Sequence, residues 1–391
     1  MKPLEGVTVI ELSTMITASF AAMMLAEQGA RVIKIEPVEM GDPMRYFGDS
    51  KGGVSGLFAN CNRGKESIRL NLKDEAAQDI VKQLAKKADV LLCNFRPGVM
   101  DKLNLGSDVL RVSNSKLIYA AISGFGTVGP LANQPAYDPV VQAHIGVTEN
   151  QGGDQAEFVR NLMCDKITAY TACQAVTAAL FIREKTGEGQ HIDISMLDAG
   201  LFYMFPDGFM SATLLDDDVI KGIHLRDMYK PVETLDGQIT VAAATQKQIF
   251  GIVQALGRMD LLTEEGIPKL LTILETEDEF ANMTAAFFAA LSTEEALSRL
   301  QAADVPCASC LGLEAAIAQP QVVANNSIEV VEHETLGQMR AVRSPARFHG
   351  EQLSFSSPCP LHGEHTEAIL SELGVSAEEI TTLRETDAIG A

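Results

Sequence analysis

The sequence predicts an α/β protein in which a parallel sheet covered on both faces is followed by a smaller unit rich in helix. Short β-branched runs alternate with helical segments. The connections between them are short, and each parallel crossover then needs a helix to return the chain. With 391 residues, 46% of them hydrophobic, the chain can fill a large core and has room for two domains.

VTVIEL (7–12) reads as the first strand, ASFAAMMLAEQG (18–29) as a helix stopped by Gly29, and RVIKIE (31–36) as the second strand. SIRLNL, DEAAQDIVKQLAKKA and DVLLCNF repeat strand, helix and strand. Asp74 in the first helical turn and Lys86 and Lys87 in the last suit the helix dipole. LIYAAISGFG adds a strand ending in a glycine turn. Open sheets of this kind bind ligands beyond the carboxyl ends of their strands, which directs attention to the turns STMITAS, EPVEMGD, NFRPG and SGFGTVGP. A helix over 166–184, the loop EKTGEGQ, a strand HIDISM and a helix DAGLFYMF follow. DDDVIKG (216–222) reads as an exposed linker. GQITVAAA and the Leu-, Glu- and Ala-rich segment 259–303 form a second, mainly helical unit. Residues 327–391 hold a β-rich stretch, a proline-marked turn SSPCPLHGEH and a closing amphipathic helix. The sequence shows no internal repeat.

A net charge of −21 disfavours nucleic acid and anionic membrane as partners. No apolar run is long enough to span a bilayer, and MKPLEGVTVIEL lacks a secretory pattern, so a cytoplasmic protein with seven reduced cysteines is expected. Between Asn62 and Lys102, nine cations stand against six carboxylates, a local +3. Lys82, Lys86 and Lys87 recur at helical spacing and read as a solvated face. Arg63, Lys65 and Lys102, beside Gly or Pro-Gly turns, are candidates for an anionic ligand.

Asp165 stands in NLMCDKITAY (161–170), between a Gly-rich polar loop and a small-residue helix. Taken alone, it reads as a helix cap or first-turn carboxylate. CASC (307–310) is a lone pair of thiols on a loop. CASC has no second ligand pair to complete a metal site, whereas CPLHGEH (359–365) offers Cys359, His362 and His365 at ligand-like spacing.

Ten segments together are similar to the family III CoA-transferases, which include formyl-CoA transferase and carnitine CoA-transferase, with α-methylacyl-CoA racemase as a relative. They are LEGVTVIEL (4–12), GARVIKIEP with GDPMR (29–45), NRGKESIRLNLK (62–73), ADVLLCNFRPGVMDKLNL (88–105), SGFGTVGP (123–130), PAYDPVVQAHIG (135–146), the Asp165 helix, EKTGEGQHIDISMLDA (184–199), DVPCASC (304–310) and GEHTEAILSELG (363–374). The resemblance implies a Rossmann-like large domain and a smaller α+β domain in an interlocked homodimer. Residues 1–215 would be the first part of the large CoA-binding domain, 216–326 the small domain with its linker, and 327–391 the segment returning to the large domain. The implied activity is transfer of CoA from an acyl-CoA donor to a small carboxylic acid, with no permanently bound cofactor and no metal. Asp165 takes the place of the family's nucleophile, which carries first an acyl group and then CoA. The implied CoA contacts are Met15, Ile16, Leu72, Lys73, Asn94, Phe95 and Lys102, with Tyr137 near the thiol end.

Two departures stand out. Thr17-Ala18-Ser19 replaces the family's usual small-residue turn after the first strand, and no glycine-run loop occurs around 225–250, so another lid near Met228-Tyr229-Lys230 is expected. A 2-methylacyl-CoA racemase is the alternative. That reaction needs an acid and a base on opposite faces of one carbon, and the resemblance places Tyr137 and Gln246 where racemases carry His and Glu.

Overall fold

The computed structural model describes residues 2–222, 224–275, 277–353 and 357–390. Contacts divide the chain into two units, Met1–Phe209 with Ala324–Ala391 and Met210–Val323. Among the described residues, no helix is long and apolar enough to cross a membrane.

The first unit is built on a six-stranded parallel sheet. Its strands are β1 (Thr8–Leu12), β2 (Arg31–Glu36), β3 (Lys65–Arg69), β4 (Val90–Cys93), β5 (Ile118–Ser123) and β6 (His191–Ser195), in the spatial order β3-β2-β1-β4-β5-β6. Successive side chains along each strand serve opposite faces. Val9, Val32, Leu92 and Ile122 enter a core with helices α1 (Ile16–Glu27) and α4 (Met163–Thr186). Ile10, Leu12, Ile33 and Leu91 enter another with helix α2 (Glu75–Lys87). Ile369, Leu370 and Ile380 join that second core, so the end of the chain returns to the first unit. The closing helix expected there is two helices, Thr366–Glu372 and Ala377–Glu385. Gly374, at φ +88°, turns the chain between them, and Ser376 with Glu379 caps the second.

The strand order reverses between β1 and β4, and ligands bind outside the carboxyl ends of the strands at such a point. The β1–α1 turn and the turn after β4 meet there. Asn94 fastens them, its Nδ2 donating to Thr14 O at 2.7 Å and to Thr17 Oγ1 at 2.9 Å while its Oδ1 accepts from the Thr14 N–H at 3.1 Å.

The second unit packs helices around a three-stranded antiparallel sheet through Ile239, Ile252, Phe288, Leu300 and Val305. Cys307–Ser309 is one of those strands, whereas the sequence had suggested a loop for CASC. Among the described residues here, Leu225–Met228 makes a single 3₁₀ turn in the region expected to act as a lid, Tyr229 is exposed, and the Met228 side chain lies outside the described parts. Gln246 opens helix Gln246–Ala255.

Candidate active site

Helix α3 (Asp138–His144) positions the start of α4. Asp165 is in the first turn of α4, whose N-cap residue Leu162 offers no side-chain acceptor. The acceptor comes from Asp138, which is 1% exposed: its Oδ2 receives the Asp165 N–H at 2.9 Å, and its Oδ1 accepts from Gln142 Nε2 at 2.6 Å. The Gln142 amide also donates to Val159 O at 3.1 Å and Asn161 O at 3.2 Å, and accepts the Val159 N–H at 3.1 Å. Asp138 and Gln142 thus hold the segment entering α4. Capping by Asp138 leaves the Asp165 carboxylate available.

Among the described residues, that carboxylate accepts no hydrogen bond, although Asp165 is only 8% exposed. Burial, and after it the charge of Asp138, push its pKa up to about 7, with Lys166 partly opposing them. Asp165 lines a cavity of about 230 Å³ with Thr14, Met15, Asn94, Phe95, Arg96 and Tyr137. Gly124 also lines it, and a Cβ there would lie 2.3 Å from that of Ala136, so glycine lets the segment carrying Tyr137 approach the end of β5. A second cavity of about 250 Å³ shares Thr14 and Phe95 with the first and runs to Val38, Leu72, Lys73 and Leu103. A third cavity, about 340 Å³, shares Phe95, Arg96 and Pro97 with the first, lies over Tyr119, His191 and Asp193, and does not include Asp165. The candidate site is the cavity that includes the Asp165 carboxylate.

The two adjoining cavities place Met15, Asn94, Phe95, Tyr137 and Asp165 on the first and Leu72 and Lys73 on the second. Ile16 is not among their lining residues. It is 3% exposed and packs with Met44, Val54, Phe58 and Cys359. Lys102 lines neither cavity, but sits exposed on the turn between Val99 and Leu103, which do. Met15 holds φ at +62°, a conformation uncommon for a side chain of its size, and its N–H donates to Asp42 Oδ1 at 3.1 Å.

Beneath this turn lies an ionic cluster absent from the sequence reading. Glu11 on β1 receives Lys34 Nζ from β2 and Lys65 Nζ from β3, both at 2.6 Å, and all three side chains are fully buried. Lys34 also contacts Asp42 Oδ2 at 2.9 Å, and Lys65 reaches Ser19 O and Asn62 Oδ1, both at 2.7 Å. Ser13 and Ser19 hydroxyls donate to Glu11 at 2.6 and 2.9 Å. Despite burial, the two ammonium groups hold Glu11 well below the usual carboxylate range. Burial, together with the neighbouring charge of Lys34, pulls Lys65 down to about 8. The departure at Thr17-Ala18-Ser19 has a physical reason: Thr17 receives Asn94, and Ser19 joins this cluster.

Arg63 and Lys65 therefore do not serve an anionic ligand as their turns had suggested. Lys65 is spent on Glu11, and Arg63 pairs with Glu27 and donates to Val342 O. In CPLHGEH, His362 bonds to Pro37 O and His365 Nδ1 accepts the Ser67 N–H. Among the described residues, no group of three or more His, Cys, Asp or Glu is placed to hold a metal.

A family model described as CoA-transferase family III matches residues 4–366. An acetyl-CoA:oxalate CoA-transferase of Acetobacter aceti is 36% identical over 338 residues, covering 83% of this chain and 85% of that protein. A human (Homo sapiens) succinyl-CoA:glutarate CoA-transferase is 29% identical over 380 residues, covering 95% and 86%. The crystal structure of a CAIB/BAIF family protein from Brucella suis superimposes with a TM-score of 0.80 at 26% identity, covering 95% of this chain and 99% of that one.

Proposed function

Since this chain belongs to CoA-transferase family III, we propose that it carries CoA from an acyl-CoA thioester to a free carboxylic acid on the side chain of Asp165. The observation that carries this reading is a buried carboxylate, free of hydrogen bonds among the described residues, facing a cavity while Asp138 takes over the capping of its helix. Named relatives that act on oxalate and glutarate support an organic acid as acceptor.

The ionised Asp165 oxygen attacks the thioester carbonyl, the C–S bond breaks, and CoA leaves as the thiolate. The mixed anhydride keeps the acyl group activated. Thiolate then attacks the aspartyl carbonyl, releasing the donor acid and leaving an aspartyl-CoA thioester. An acceptor carboxylate attacks that carbonyl and expels thiolate again. Thiolate finally attacks the acceptor carbonyl, giving the new acyl-CoA and restoring Asp165. Covalent catalysis divides one exchange into easier steps, and as written they need no metal or redox group.

In this reading the nucleotide end of CoA lies in the apolar slot of Val38, Leu72 and Leu103, with Lys73 and Lys102 near its phosphates. Pantetheine passes Phe95 and the Met15 turn toward Tyr137. Asn94, its amide already engaged, acts by holding the two turns together. Racemase chemistry is the weaker reading: no histidine lines the Asp165 cavity among the described residues, and position 137 carries a phenol.

The homodimer belongs to the same proposal. Tyr170, Phe181 and Ile182 on α4 and Phe202, Tyr203 and Phe205 on helix α5 (Met196–Gly208) are exposed on helices that pack together, an apolar surface suited to a second copy. Seven free thiols, five of them buried, suit a reducing cytoplasm.

The test is trapping. Hydroxylamine added during turnover should convert Asp165 to a hydroxamate found by peptide mass spectrometry, while Asp165→Ala should give no adduct and no exchange. Full exchange by Asp165→Ala would refute the reading.

A further inference from the structure

We propose that Arg96 selects dicarboxylic acids by binding the carboxylate that does not react. The inference rests on the CoA-transferase reading above and concerns the acceptor acid in the same cavity. Arg96 and Asp165 are the charged side chains lining that cavity among the described residues. Arg96 is exposed, and among the described residues its guanidinium has neither an ion pair nor a hydrogen bond. This contrasts with Lys34, Arg45, Arg63 and Lys65, which are held by internal carboxylates.

The turn holding Arg96 is tightly built. Asn94 pins its start to Thr14 and Thr17, the Val99 N–H donates to Arg96 O at 3.1 Å, and Gly98 closes it at φ +78°. The side chain therefore projects from a fixed base. Lys73 lines the other cavity and Lys102 sits beside it, leaving those two cations for CoA phosphates and Arg96 for the acid.

An acid approaching a chain of charge −21, and a cavity that already holds Asp165, meets repulsion that one local cation offsets. A guanidinium holds a carboxylate through two parallel hydrogen bonds. Such pairing would draw electron density from an attacking carboxylate, so Arg96 fits the remote end of the acceptor better than the reacting end. A monocarboxylate has no group to place there.

The test uses the intact protein with acetyl-CoA as donor, whose acyl group carries no second carboxylate. Glutarate and pentanoate, matched in carbon number, are compared as acceptors in wild type, Arg96→Gln and Arg96→Lys. Binding of both acids is also titrated calorimetrically with CoA present. Arg96→Gln should lower the glutarate-to-pentanoate ratio of kcat/KM by roughly tenfold or more, the effect expected of losing a charged hydrogen-bonded contact, and should weaken glutarate binding alike. Arg96→Lys should recover part of the loss. Lys102→Gln should raise KM for acetyl-CoA and leave the ratio between acids in place. The proposal is overturned if wild type binds glutarate no better than pentanoate, or if Arg96→Gln weakens both acids equally or only raises KM for acetyl-CoA. Failure of the transferase reading would show separately, as absence of CoA exchange with any acid while the titration still judges Arg96.

Discussion

Asp138 receives the backbone N–H of Asp165 at 2.9 Å, so one carboxylate caps the helix and the next is left open to the cavity. The same neighbour raises the pKa of Asp165 by its charge. The proposed attack requires the ionised form, so kcat/KM should rise with pH and level off above about 7. Asp138→Asn keeps one acceptor for the Asp165 N–H and removes the charge, together with the hydrogen bond that Gln142 Nε2 gives the other oxygen. Its acid limb should move to lower pH, which a pH–rate profile would show; an unmoved limb would separate Asp138 from the titration.

Asp165 should also cost stability. Its folded pKa of about 7 lies above the ordinary 3.8, so between these values the folded state holds the proton more tightly and stability falls as pH rises. The penalty is complete above about pH 7 and is on the order of 4 kcal/mol. Asp165→Asn should then resist denaturant better than wild type above pH 7, with the advantage shrinking as pH falls toward the usual carboxylate range. Chemical denaturation at the two ends of that window checks both sign and trend.

Glu11→Gln should be severely destabilising, because it leaves the buried ammonium groups of Lys34 and Lys65 without the carboxylate they share. Breaking such a buried ionic group costs ~3–5 kcal/mol. The variant should also show a raised KM for acyl-CoA, since Ser13 and Ser19 bond to Glu11 on either side of the Met15 turn. Denaturant midpoints and steady-state kinetics provide the two readings.

Most of the sheet was legible from local pattern. VTVIEL, RVIKIE and DVLLCNF are strands because mostly β-branched and apolar residues fill both faces of a covered sheet, and HIDISM, at the sheet edge, alternates exposed His191 and Asp193 with Ile192 and Ile194. What escaped was pairing at a distance. Lys34 inside RVIKIE and Glu11 inside VTVIEL were visible as charges within buried-type runs, but nothing local said that they meet. Arg63 and Lys65 were misjudged for the same reason, their carboxylates lying 36 and 54 positions away. Asp165 could be singled out, whereas the capping role of Asp138 depends on how α3 packs against α4. Ile16 adjoins Met15 in sequence yet turns into the core, because α1 begins between them.

Gly124→Ala should impair catalysis more than folding. The new methyl would lie 2.3 Å from Ala136 and push the segment bearing Tyr137 and Asp138 away from β5. A displacement near 1 Å can cost ~100-fold in a positioned reaction, while the overpacking itself costs ~1–3 kcal/mol. Parallel measurement of kcat/KM and thermal midpoint separates the effects.

The most direct measurement follows the oxygen atoms. In the proposed route, one carboxylate oxygen of the acceptor acid that attacks the aspartyl-CoA thioester becomes the bridging oxygen of the anhydride and stays on Asp165 after thiolate takes the acyl group. With an acceptor carrying the heavy oxygen isotope in its carboxylate, turnover should therefore deposit that isotope in the Asp165 side chain, read from the mass of its peptide, and in no other residue. Normal turnover with labelled acceptor and an Asp165 that stays unlabelled would contradict transfer through this carboxylate.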